Sequence, residues 1–99
     1  MAEKSWSELL AQHSPELTKQ SQEDSAFVSA DTALPAWVKL LMAMQLDSVF
    51  NHPKGARAYG RMAHEHSATT EQVVEAIKVL RMYGGRPVMA TGAEALQDL

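Results

Sequence analysis

This sequence of 99 residues has four histidines, two tyrosines and no cysteine. A chain without thiols has no disulfide, no thiolate nucleophile and no Cys-ligated zinc. Histidine is the side chain whose charge changes near neutral pH. His52 stands in Asn51-His52-Pro53, a helix entry, and Tyr59 follows seven residues later. Two helical turns separate them, so they project on about the same face. The pair is the candidate acid/base unit. The alternatives are a plain capping turn for His52 and a core tyrosine with a satisfied hydroxyl for Tyr59.

Two further groups invite chemistry. His64-Glu65-His66 suggests a metal site, but residues two apart on a helix point roughly 200° apart and cannot grip one ion. The expectation is no metal and no cofactor, with solvated helix-end histidines favoured by the negative end of the dipole. Among the cations, Lys54 falls in the first turn of a helix and Arg86 lies between Gly85 and Pro87 at another helix start. Backbone N–H groups converge at such a start, which suits an anionic ligand; a structural salt bridge is the alternative.

The elements that position these groups read as helices throughout. Ser5 with Glu8 fits a capping box ahead of a helix to about Gln12, with Trp6, Leu9 and Leu10 on one face. Ser14-Pro15-Glu16 starts a second helix running to about Phe27. Residues 28–34 connect, with Asp31 or Thr32 available as a cap and Pro35 as a starter. From Pro35 to Val49 the sequence is apolar nearly all round, interrupted by Lys39, Gln45 and Asp47. A helix without a polar face is a central one, and a domain this small has too few helices to cover it, so cover from a partner subunit is expected.

Pro53 opens a fourth helix to about Glu65 or His66. Thr69 with Gln72 forms a second capping box before a helix to about Tyr83, with Val73, Val74, Ile77, Leu80 and Tyr83 inward. Gly84-Gly85 stops it and Pro87 starts a last helix. The methionines, Met42, Met44, Met62, Met82 and Met89, are expected in core and subunit contacts. No stretch alternates with period two. The prediction is an all-α domain of about six helices.

Composition bounds the rest. A chain this long is one domain, residues 1–99, burying about 60–68% of its unfolded surface. A net charge of −3 argues against broad binding to phosphate backbones. The helix after Thr69 is a poor recognition helix, since Glu71 and Glu75 accompany Lys78 and Arg81. The longest apolar run, Leu40 to Met44, is far short of the roughly 20 residues of a membrane helix. Acids early in the sequence, without the apolar run of a secretory signal, lead to the expectation of a cytoplasmic protein.

With the helices placed, several segments form an ordered set: Leu34-Pro35, Lys39-Leu40-Leu41-Met42-Ala43, Pro53 to Ala63, Ser67-Ala68-Thr69-Thr70-Glu71, Glu75-Ala76-Ile77 and Tyr83-Gly84-Gly85-Arg86-Pro87, preceded by Leu9-Leu10 and Ser14-Pro15-Glu16-Leu17. In this order the chain resembles the carboxymuconolactone decarboxylase family, which includes the alkylhydroperoxidase D-like proteins. The resemblance implies an all-helical domain that assembles with itself into trimers or hexamers. Redox members of that family carry a Glu, a Cys-x-x-Cys and a His, which fall here on Leu40, His52, Gly55 and Tyr59. None is kept, and peroxide reduction by a dithiol needs two thiols. The resemblance then implies decarboxylase-like acid-base chemistry on a small anionic or lactone-type compound. His52 or Tyr59 would transfer the proton and Arg86 would clamp a carboxylate, with Lys54, His64 and His66 as further binding groups. The alternative is a catalytically degenerate member serving as an oligomeric scaffold.

Overall fold

A computed structural model describes residues 3–99. Among them the chain is all-helical, with α1 (Trp6–His13), α2 (Pro15–Val28), α3 (Ala36–Val49), α4 (Pro53–Glu65) and α5 (Thr70–Gly92), then a 3-10 turn, Ala93–Leu96. There are five helices rather than about six. The expected fifth and sixth form one span broken at Gly85, whose φ of 80° and ψ of −172° interrupt the helix. That combination is essentially confined to glycine, so the second glycine of the pair, not the first, turns the chain.

The caps follow the sequence closely. Ser5 Oγ and Ser14 Oγ accept the backbone N–H groups of Glu8 and Leu17, each at 3.2 Å. Thr69 and Gln72 form the full reciprocal box, at 3.1 and 2.9 Å. Before α3, Asp31 Oδ1 accepts the N–H of Ala36 at 2.8 Å, while Thr32 serves a different group, the ammonium of Lys39.

Helix α3 is central. Leu40 and Met44 are wholly buried, and they pack with Val73, Ile77 and Leu80 of α5. Helix α4 meets this core through small residues, Ala56, Gly60 and Ala63. Small residues let helices approach closely, and Gly60 touches the backbone and side chain of Ala95 in the terminal turn. The same turn is clamped from outside. Arg57 donates from Nε and Nη2 to the two carboxylate oxygens of Asp98, at 3.0 and 2.9 Å. These hydrogen bonds hold the Asp98 carboxyl below its ordinary range and raise Arg57 above its own.

The α1–α2 hairpin behaves differently, for no residue of either helix is buried. The Cα radius of gyration is 14.4 Å, against about 13 Å for a compact chain of 100 residues, in keeping with a projecting arm. Its anchor is Lys39. This buried ammonium donates to the Phe27 carbonyl at 2.7 Å and to Thr32 Oγ1 at 2.8 Å, and stands 4.1 Å from the Phe27 ring centroid. It thereby caps the carbonyl end of α2, where a cation is favoured.

Not every inward position is inward. Tyr83, expected in the core, is 87% exposed, because it stands roughly 80–90° around the helix from the buried stripe of Val73, Ile77 and Leu80. Of the methionines, Met44 is buried, whereas Met42 and Met82 face outward. No helix among the described residues is long and apolar enough to cross a membrane.

Candidate functional site

The junction of α3 and α4 builds the site. Asn51 takes φ of 57°, a left-handed conformation that its short polar side chain tolerates. The Asn51 N–H then returns to the Ser48 carbonyl at 3.2 Å and the His52 N–H to the Asp47 carbonyl at 2.7 Å. These are the paired bonds of a Schellman closure. The reversal brings His52 back beside the turn that carries Asp47, with Nδ1 3.6 Å from Asp47 Oδ1. His52 occupies the N-cap position of α4, yet its side chain makes no capping hydrogen bond. The imidazole is directed to Asp47 instead.

Asp47 is held in turn by the start of α4. Its carboxylate lies directly over Gly55, where an added Cβ would meet Oδ2 and, at 2.7 Å, Cγ. A carboxylate over the first turn of a helix faces the positive end of the helix dipole. Glycine at position 55 therefore leaves the space in which the Asp47–His52 pair sits.

These groups open onto a cleft of about 800 Å³, within the roughly 300–1,000 Å³ typical of small-molecule sites. Trp6, Ser25 and Val28 of the hairpin form one wall, Lys54, Tyr59 and Met62 of α4 the other, and Asp47, Asn51 and His52 close one end. Three of the sequence candidates, His52, Tyr59 and Lys54, thus share one cavity. The other three do not line it. Arg86 borders a separate depression with Arg81, Met82 and Met89, on the far side of the Gly85 break. His64 lies in the last turn of α4, where its Nδ1 is 2.9 Å from the Ala68 carbonyl, and His66 is the exposed residue that ends the helix. Both belong to a second Schellman closure, around Ser67 at φ 86°, with Ala68 N–H returning to Ala63 at 2.9 Å. Among the described residues no three metal-ligating side chains cluster.

Sequence reading missed Asp47 and Trp6. Asp47 had a usable signal. Five residues separate it from His52, which is the spacing that a helix ending in a left-handed asparagine brings together. Trp6 had none, since its place on the cleft depends on how the hairpin lies against α4. Compared with protein-family models, with curated proteins and with solved structures, the chain gives no match.

Proposed function

We propose that this chain is a carboxymuconolactone decarboxylase-like protein without dithiol peroxidase chemistry, whose cleft binds a small anionic or lactone-type compound and uses His52 for proton transfer. The observation that carries this reading is the Asp47–His52 pair, 3.6 Å apart at the end of a cleft that Lys54 and Tyr59 also line. With Nδ1 turned to Asp47, Nε2 is the nitrogen free to exchange a proton with a ligand. Loss of carbon dioxide leaves an electron pair on carbon. The imidazolium N–H supplies the proton that fills it, and His52 is recharged from solvent. Lys54 is the cation for a carboxylate that stays on the substrate, and Tyr59 is a second donor along the same wall. Arg86, His64 and His66 have no part in this cleft within one chain.

The test is turnover of a panel of lactone acids by the wild type and by His52→Ala. The expected loss is about 10²–10⁴-fold in kcat, the usual scale of general acid catalysis. Equal rates in the two proteins, or no turnover of any lactone acid by the wild type, would sink the proposal.

A second reading, an oligomeric scaffold, has its own support. Met42, Leu46 and Val49 of α3 and Val79, Met82 and Tyr83 of α5 are each 46–87% exposed, and most of them line one apolar groove. Contiguous apolar surface of this kind marks association sites. Sedimentation at micromolar concentration is expected to find a trimer or hexamer; a stable monomer would contradict the assembly.

A further inference from the structure

The cleft is amphipathic along its length. Its charged groups, Asp47, His52 and Lys54, gather where α3 meets α4, whereas Tyr59 and Met62 lie further along α4, and Trp6 and Val28 of the hairpin line the same cleft. Eight residues separate Lys54 from Met62, a rise of about 12 Å along a helix. A ligand following this wall meets charge at one end only. Among the residues that line the cleft, Lys54 is the permanent cation, and it suits a ligand carboxylate.

Trp6 adds the remaining constraint. It is 66% exposed, it stands in a helix that buries nothing, and folding makes little use of its indole. A large flat apolar surface facing a cleft is suited to stacking on a ring. The volume, about 800 Å³, also exceeds the need of a small lactone acid. We infer that the cleft selects aromatic carboxylates, with the ring system against Trp6 and a carboxylate at Lys54. This rests on the same cleft as the proposed function, but on groups other than His52, and it names Trp6 as the residue that sets specificity.

Calorimetric titration of the full chain with 2-naphthoate, 2-naphthamide and octanoate tests it. 2-Naphthoate is expected to bind about tenfold tighter than octanoate, through stacking, and about threefold tighter than the neutral amide, through one exposed ion pair. Trp6→Ala should weaken 2-naphthoate about tenfold and leave octanoate unchanged, with Trp6→Phe retaining most of the affinity. Lys54→Gln should abolish the preference for acid over amide. Because α1 buries no residue, an unchanged circular dichroism melt for Trp6→Ala shows that the loss is a lost contact. Equal affinity for 2-naphthoate and octanoate, an unchanged affinity in Trp6→Ala, or no binding at millimolar 2-naphthoate would each overturn the inference. Trp6-dependent binding of 2-naphthoate without turnover of any lactone acid would uphold it and remove the proposed reaction. Turnover that depends on His52 without Trp6-dependent binding would do the reverse.

Discussion

Replacing Leu40 by alanine is expected to cost about 2–5 kcal/mol of folding stability, the range for large-to-small changes at sites that do not collapse. Leu40 is 0% exposed in the middle of α3, between α4 and α5. Among the described residues the largest wholly buried side chains besides Leu40 are Met44, Val73 and Ser48, and Ser48 is fixed by its hydrogen bond to the Met44 carbonyl at 2.8 Å. Few large groups are therefore free to move into the space, which favours the upper half of the range. For a domain of this size each kcal/mol moves Tm by about 4–8 °C, so even the low end is a shift of about 8 °C. Urea denaturation with thermal melts measures it. A loss below about 1 kcal/mol would mean that α3 is not the centre of the core.

Gly60→Val is expected to be comparably damaging for the opposite reason. At Gly60 the first added carbon already meets Ala95, with Cα at 2.6 Å and the Ala95 carbonyl oxygen closer still. Two of the three nearest atoms are backbone, so no rotamer change relieves the clash, and α4 must separate from the terminal turn. Overpacking costs about 1–3 kcal/mol and occasionally more, and valine adds crowding against the preceding helical turn. Gly60→Ala brings the same first contact with a helix-propensity gain of about 1 kcal/mol to offset it, and should lose less. The contact is specific enough to be tested by coupling. In a double-mutant cycle, Ala95→Gly should recover part of the loss from Gly60→Ala. Simple additivity of the two changes would show that the Ala95 side chain takes no part in the collision.

Much of the fold was legible because its punctuation is local. Ser5, Ser14, Asp31 and Thr69 act within five residues of themselves, and the glycine pair that ends the first part of α5 does so through its own φ and ψ. Tyr83 was misread because it lies at the edge of the stripe formed by Val73, Ile77 and Leu80, and periodicity does not say how wide a stripe the neighbouring helix covers. Half of the candidate site was legible for the same reason: His52, Lys54 and Tyr59 share a helix and its entry, so their common cavity follows from sequence separation. Arg86 was placed with them by the order of segments in a resemblance, and its distance from the cleft is set by tertiary packing. The Asp47 pairing lay between these cases, encoded in a helix-closing motif and readable once Asn51 is taken as left-handed.

The weakly held hairpin has a thermodynamic meaning for whatever occupies the cleft. A segment that contributes no fully buried side chain opens by local unfolding at a free energy well below that of the whole domain, here resisted by the bonds from Lys39 to Phe27 and Thr32 and by the packing of Val28 against the core. One wall of the cleft thus belongs to a less stable cooperative unit than the other. The affinity observed for any ligand that spans both walls is its intrinsic affinity multiplied by the fraction of chains with the hairpin closed. Substitutions at Lys39, which borders no ligand in that cleft, would then tune binding by changing that fraction alone.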